Sequence, residues 1–300
     1  MRRVFGIGET IFDLIFDQNN TPKSGKPGGS VFNALISLGR SGVDCSFISE
    51  VGNDRLGNII RQFLTDNNVD NSLMCSFDNG KTPLALAFLD ENSNAQYDFY
   101  KDYPAQRLTF DMPDIAPDDV VLMGSYFALN PVLRTQVGRF IEHARNSKAL
   151  IYYDVNFRAT HIHEAQELMP VIKENFRQAD IVKGSDEDFY NMFGSHDWRK
   201  AYHEHMKPLC SVFICTEGAN GATLLYGDEE IHLNGEKITP LSTVGAGDSF
   251  NAGTIYGIMQ NDIRRNTLAT SPQKLADALH YGIQFSAEVC QSYDNYISAK

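Results

Sequence analysis

The sequence predicts an α/β fold: a doubly wound, mostly parallel central sheet flanked by helices, with a small inserted β unit. Three observations predict it. Short apolar runs of strand length, ending in residues such as Gly8, Asp154 and Thr216, alternate with stretches of helical periodicity. An aromatic-rich hairpin between Thr82 and Tyr100 interrupts that rhythm. Near the C-terminus a glycine turn, Thr243-Val244-Gly245-Ala246-Gly247-Asp248-Ser249-Phe250, feeds a segment with helical spacing at Phe250, Gly253, Gly257 and Ile258.

Composition bounds the rest. Three hundred residues suffice for one large α/β domain, and 42% hydrophobic with 21% charged residues describes an ordinary globular chain. A net charge of −12, from 26 basic and 38 acidic residues, argues against nucleic acid or an anionic membrane as partner. The five cysteines, Cys45, Cys75, Cys210, Cys215 and Cys290, show no zinc spacing and no disulfide framework, so a reducing cytoplasm is expected. No run is apolar and long enough for a signal peptide or a membrane span.

In order, Val4 to Gly8 reads as a buried strand. Asp13 lies just beyond it, where open parallel sheets present ligand-binding groups. Gly25-Lys26-Pro27-Gly28-Gly29 breaks regular structure, and Ser30 to Gly39 follows as a helix with Gly39 as its C-cap. Asn33 falls in the first turn, where its amide suits either capping or a polyhydroxylated ligand. Asp44 to Ser49 is a strand, and Val51 to Gly57 turns into a helix reaching about Asn67.

The hairpin pairs Thr82–Asp90 with Ala95–Tyr100 across a turn at Glu91-Asn92-Ser93-Asn94. Tyr97 and Phe99, at period two, read as sheet packing. Such an insert commonly becomes a flap or a dimer contact. Asp119 to Gly124 and Ala149 to Asp154 are strands, with a helix from Pro131 to Arg145 between them. If the chain stays extended past Asp154, then Asp154, Asn156 and Arg158 project on one side.

A strand over Ala179–Gly184 leads to Ser185, the expected N-cap of an acid-rich helix that includes Asp188. After the strand Ser211–Thr216, Gly218 and Gly221 form a loop that a phosphate can approach. Ala222–Tyr226 and Glu230–Leu233 make an antiparallel edge pair. Pro272 to Gln291 is the last helix, and the polar tail from Ser292 is expected to be loosely held.

The glycine turn carries the chemistry. A turn feeding a helix N-terminus aims unpaired N–H groups and the positive dipole end at whatever lies in front, which makes an anion site. Asp248 in the first turn is then placed to accept a proton from an alcohol approaching a bound phosphate. Taken alone, an Asp at a helix start after Gly is a common cap. A dinucleotide fingerprint is absent, because Gly6-Ile7-Gly8-Glu9-Thr10-Ile11 lacks the third glycine.

Five blocks in order resemble the ribokinase-like (PfkB-type) carbohydrate kinases, most of all the bacterial fructokinases. They are Gly28-Gly29-Ser30-Val31-Phe32-Asn33-Ala34, Gly52-Asn53-Asp54-Arg55-Leu56-Gly57, Asp154-Val155-Asn156-Phe157-Arg158, Thr216-Glu217-Gly218 and Thr243 to Phe250. The resemblance implies a single ribokinase-like domain over 1–300, with a β lid from segments 11–27 and 82–104 that often serves dimerisation. It implies ATP-dependent, Mg²⁺-assisted phosphorylation of a sugar, with fructose first and 2-keto-3-deoxygluconate or ribose as alternatives.

By the same resemblance Asp248 is the general base, and the amides of Ala246, Gly247 and Asp248 build the anion hole, with Gly245 part of the same catalytic turn. Asp13, Gly28, Gly29 and Asn33 match sugar-binding positions, with Arg158 on the phosphate side. Thr216, Gly218, Gly221 and Ser185 match the nucleotide side and Asp188 a hydrated Mg²⁺; the Ala278–Ser286 stretch of the last helix is expected to face the base, with no motif to mark the contacting side chains. Two positions depart from the family pattern. Ser242 replaces an Asp that commonly helps organise a monovalent-cation site, which sets activation by K⁺ in question; Ser185 replaces an Asn of the Mg²⁺ motif. A sugar-binding sensor without catalysis is the reading from a different functional class.

Overall fold

The computed structural model describes residues 2–89 and 95–299, so the expected turn at Glu91-Asn92-Ser93-Asn94 lies outside the described residues. In chain order the first half holds β1 (Val4–Ile7), β2 (Ile11–Phe16), β3 (Pro22–Gly28), α1 (Ser30–Arg40), β4 (Cys45–Ile48), β5 (Glu50–Gly52), α2 (Arg55–Asp66), β6 (Val69–Asp70), β7 (Cys75–Phe77), β8 (Lys81–Leu89) and β9 (Ala95–Asp102). There follow β10 (Val120–Gly124), α3 (Arg134–Asn146), β11 (Leu150–Asp154), α4 (Ala165–Gln178), β12 (Ile181–Ser185), α5 (Asp186–Phe193) and α6 (Trp198–His205). The chain closes with β13 (Val212–Thr216), β14 (Ala222–Tyr226), β15 (Glu229–Leu233), α7 (Ala246–Gln260), α8 (Arg265–Leu268) and α9 (Pro272–Cys290).

The main sheet runs β15-β14-β13-β12-β11-β10-β1-β4-β6. Every strand from β6 to β13 is parallel, and only β14 and β15 turn antiparallel at one edge. This is the doubly wound, mostly parallel sheet that the sequence predicts. Its central strands are mostly apolar because helices cover both faces, with Asp154 of β11 and Lys183 of β12 as charged exceptions. One core packs α1, α2, α7 and α9 on the sheet, the other α3 to α6. From β1 the chain moves outward to β4 and β6, then returns to β10 on the other side. The crevice outside the carboxyl ends of β1 and β10 is therefore the switch point where such sheets take ligands.

A second sheet, ordered β3-β2-β8-β9, stands over that crevice end of the chain. The segment expected to break structure is its edge strand: Pro22–Gly28 pairs antiparallel with β2. Pro22 and Pro27 are tolerated there because an edge strand leaves one side of its backbone unpaired. Tyr97 and Phe99 are 48% and 56% exposed and stack on each other at 5.8 Å, so they are not packed between sheets as expected.

Three further expectations are corrected. Gly39 lies inside α1 and not at its cap; a Cβ there would come within 2.1 Å of the Asn67 carbonyl oxygen, so the glycine lets α1 meet that loop. The helix expected from Pro131 begins at Arg134. The tail is not loose: Asn295, Tyr296 and Ile297 are buried, and the Ile297 carbonyl accepts from Arg40 Nη1 at 2.6 Å.

The tightest helix contact is between α7 and α9. Cβ atoms on Gly253 and Gly257 would lie 2.2 Å from the Tyr281 oxygen and 2.6 Å from the Ala278 Cα, so backbone meets backbone. Within the stretch expected to face adenine, Ala278, Leu279, Gly282, Ile283 and Phe285 are buried, whereas His280 and Gln284 are exposed. Gly253→Ala tests the contact. Helix propensity alone would stabilise by up to about 1 kcal/mol, whereas overpacking costs about 1–3 kcal/mol. Net destabilisation is expected in urea unfolding; a stabilised variant would show that the helices separate freely.

Candidate active site

The α7 N-terminus begins with Gly245 as N-cap in the left-handed region, at φ 81°. A Cβ on it would lie 2.4 Å from the Asn295 carbonyl oxygen, so both conformation and contact require glycine. The first amides of a helix have no partner one turn earlier. Here the Ala246 N–H donates back to the Thr243 carbonyl at 3.2 Å, whereas among the described residues those of Gly247 and Asp248 meet no backbone acceptor. The cradle is thus narrower than the motif implies, centred on Gly247 and Asp248.

Asp248 is buried in that first turn, and its Oδ2 accepts from Asn33 Nδ2 of α1 at 2.8 Å. Burial pushes its pKa up to about 6, with the Asn33 bond opposing; Asp154 raises it further while Arg158 and Lys183 lower it. The Oδ1 of Asn33 is itself buried without a partner among the described residues. An unpaired acceptor beside a proton-accepting carboxylate suits a hydroxylated ligand.

The other wall comes from the second sheet. Asp13 lies on β2 opposite Lys26 of β3, and a Cβ on Gly28 would lie 2.5 Å from its Oδ2. Gly29, at φ 127°, abuts the Glu9 carbonyl, which a Cβ would approach to 2.3 Å. The Asp13 carboxyl is pushed up to about 6 by burial, opposed by Lys26 and assisted by Glu9. Burial and then Asp13 raise the Tyr97 hydroxyl pKa while Arg158 lowers it. The Arg158 charge also lowers the pKa of Asp248.

Arg158 reaches it by a different route from the one expected. The chain does not stay extended after β11: Asn156 takes φ 39°, and its amide donates to Ser125 Oγ at 2.6 Å. Asp154 does not project into the cleft beside Arg158. Its oxygens accept from Lys183 Nζ at 3.0 Å and from Asn251 Nδ2 at 2.8 Å.

Of the residues expected on the nucleotide side, Ser185 and Thr216 are register partners at the ends of β12 and β13, and Gly218 sits in the exposed loop beyond at φ 56°. Gly221 is set apart from them: it is buried, and a Cβ would strike the Leu233 carbonyl at 2.1 Å, so the edge hairpin requires it. Ser185 and Asp188 form a capping box on α5. Asp188 Oδ1 accepts from the Phe157 N–H at 2.6 Å and Oδ2 from the Ser185 N–H at 2.7 Å. Among the described residues no group of three or more His, Cys, Asp or Glu is placed to hold a metal ion.

Three residues escaped the sequence reading. Lys183 and Asn251 fix Asp154, and Lys26 reaches from the second sheet to the tail, donating to the Tyr293 carbonyl at 2.8 Å and Asn295 Oδ1 at 3.1 Å. Lys183 had a signal: a lysine inside the buried run Ile181-Val182-Lys183-Gly184 needs an anionic partner.

The profile of the pfkB family of carbohydrate kinases matches residues 1–300. The chain belongs to the pfkB carbohydrate kinase family. It is a sugar kinase and an ATP-dependent phosphotransferase. A fructokinase from Rhizobium leguminosarum bv. trifolii is 30% identical over 264 residues, covering 85% of this chain and 79% of that one. The aminoimidazole riboside kinase of Salmonella typhimurium is 25% identical, covering 85% and 81%. In fold the chain is similar to a fructokinase double mutant from Vibrio cholerae O395 bound to fructose, ADP and potassium ion. The TM-score is 0.83 at 23% identity, with 100% of this chain and 95% of that one covered. No helix among the described residues is long and apolar enough to cross a membrane.

The two raised carboxyls can be read directly. In ¹³C-detected titrations the Asp13 and Asp248 carboxyls are expected to change with midpoints near 6. Asn33→Ala is expected to raise Asp248 further, because it removes a donor to the charged form. Since both folded pKa values exceed the unfolded value of about 3.9, these groups favour folding below pH 4 and lose that contribution as pH rises through 6. Midpoints near 4 would show both groups to be solvated.

Proposed function

We propose that the chain is a fructokinase, transferring the γ-phosphoryl group of MgATP to the 6-hydroxyl of free fructose. In this reading Asp13, Gly28, Gly29 and Asn33 hold the sugar, and Arg158 faces the phosphates. Thr216, Gly218 and Ser185 border the nucleotide, with Gly221 shaping the loop. The Mg²⁺ arrives with the nucleotide phosphates. Asp188, its oxygens already accepting backbone N–H bonds, meets the ion through water.

The observation that carries the chemistry is the buried Asp248 carboxylate, held by Asn33 beside unpaired amides of the α7 N-terminus. The hydroxyl oxygen forms its bond to Pγ as the bond from Pγ to the β,γ-bridging oxygen breaks. That electron pair leaves with ADP, and the hydroxyl proton passes to Asp248. The Gly247 and Asp248 amides, with Ala246 and Gly245 shaping the turn, stabilise the charge on the phosphoryl oxygens.

Fructose is favoured over 2-keto-3-deoxygluconate by electrostatics at the sugar end. Asp13 is a carboxylate and the neighbouring Lys26 is already engaged by the tail, so a substrate carboxylate would meet repulsion there, while Glu9 is paired with Lys101 at 2.8 Å. The 30% identical fructokinase supports the same choice. Ser242 spends its hydroxyl on the Val244 N–H at 3.2 Å and carries no charge, which supports independence from K⁺.

A coupled ADP-release assay with fructose, 2-keto-3-deoxygluconate, ribose, glucose and adenosine, with and without K⁺, tests these points. Fructose is expected to give the highest kcat/KM, unchanged by K⁺ and falling below pH 6 as Asp248 protonates. Asp248→Asn is expected to lower kcat by about 10²–10⁴-fold with the sugar Kd little changed. Turnover surviving within a few-fold would remove Asp248 from the base role. Sugar binding without turnover by the wild type would favour the sensor.

We further propose that the second sheet is a lid whose outer face meets a second copy of the chain. Leu14, Phe16, Leu86 and Phe88 share that face, all half-buried, with Phe16 and Phe88 stacked at 4.8 Å and Tyr100 58% exposed. An apolar face of this kind is what one buries against another. Sedimentation velocity is expected to find a dimer that Leu86→Asp dissociates; a wild type monomeric at tens of micromolar would exclude it.

A further inference from the structure

A lysine in the middle of a buried parallel strand is costly unless its charge is met. Lys183 of β12 is 4% exposed, and among the described residues its Nζ makes one hydrogen bond, to Asp154 Oδ1 at 3.0 Å. An ammonium has three N–H donors, so two are left over. The other carboxylates that act on it are committed elsewhere: Asp188 to the Phe157 and Ser185 amides, Asp248 to Asn33.

The position of those spare donors is informative. A Cβ on Gly247 would lie 3.5 Å from Lys183 Nζ, so the ammonium borders the second residue of α7, where the unpaired amides converge. Asp154 prevents it from swinging away, because its other oxygen is fixed by Asn251, one turn further along α7. Asn251 Oδ1 in turn accepts from the Tyr152 hydroxyl at 3.1 Å. A held cation with two unused donors thus borders Gly247, whose backbone amide, like that of Asp248, is unused.

We infer that Lys183 is a catalytic residue whose ammonium donates to a non-bridging oxygen of the γ-phosphoryl group as it leaves ATP for the sugar. The inference deepens the phosphotransfer reading of this site and rests on it. The helix terminus supplies partial charges and the ammonium a full one, buried where its field is little screened. The γ-phosphate supplies the acceptors that the protein does not, and ADP lacks that group.

Nucleotide binding therefore separates this role from a structural one. With Lys183→Met, calorimetry is expected to find the Mg²⁺ complex of a non-hydrolysable ATP analogue bound about 10- to 100-fold more weakly, as for the loss of a charge-assisted hydrogen bond. Binding of Mg-ADP is expected to stay within about two-fold. With fructose, kcat is expected to fall by about 10²-fold or more, and Lys183→Arg to recover part of it. Because Lys183→Met strips Asp154 of its counter-charge, the pair Lys183→Met with Asp154→Asn is measured as well, so an unstable single variant does not hide the result. Equal weakening of analogue and ADP, or an unchanged analogue affinity, would overturn the inference. Absence of ADP release by the wild type with every sugar would overturn the fructokinase reading, while the contrast between analogue and ADP would still decide the role of Lys183.

Discussion

Asp154 accepts from Lys183 and Asn251 at once, and that double acceptance ties the end of β11 and the middle of β12 to the second turn of α7. Each of the three groups would be expensive to bury alone. Together they are satisfied, and they bring a carboxylate, an ammonium and a helix N-terminus within reach of one another. Burial by itself would strip the Lys183 proton, but the Asp154, Asp188 and Asp248 carboxylates outweigh it and hold the ammonium charged. Asp248 gains the opposite advantage: burial lifts its proton affinity toward that needed for accepting from an alcohol near neutral pH.

The helix that carries Asp248 is placed by small residues. Gly253 and Gly257 let α7 lie backbone to backbone on α9, while Asn33 on α1 holds the carboxylate from the other side. Gly245 presses on Asn295 in the tail, and that same Asn295 accepts from Lys26 of the second sheet. The sugar wall and the anion cradle therefore share one strut.

The net charge of −12 and a site for polyphosphate are compatible because the cradle depends on local groups. Unpaired amides at a helix start and one buried ammonium act across a few ångströms in a medium that screens little. The surface charge acts through water and salt and fades over about 10 Å. What the acidic surface disfavours is an extended anion such as nucleic acid, not a nucleotide held in a crevice.

By itself the sequence determined the alternation of apolar strands and amphipathic helices, hence the doubly wound sheet, because periodicity and turn chemistry are local properties. It also determined the helix start after the glycine turn and the place of Asp248 in its first turn, since a glycine turn entering a helix is written in consecutive residues. Tertiary structure decided what depends on distant partners. Lys183 reads as a flaw in an apolar strand until Asp154, 29 residues away, is seen to meet it, with Asn251, 97 residues from Asp154, holding that carboxylate. Asn156 at φ 39° turned Arg158 by a route that no extended-strand rule describes. The tail reads as polar and loose, yet it is buried because Gly245, Arg40 and Lys26 meet it from three elements. Contacts of that separation are set by how the layers stack, and no local window of sequence contains them.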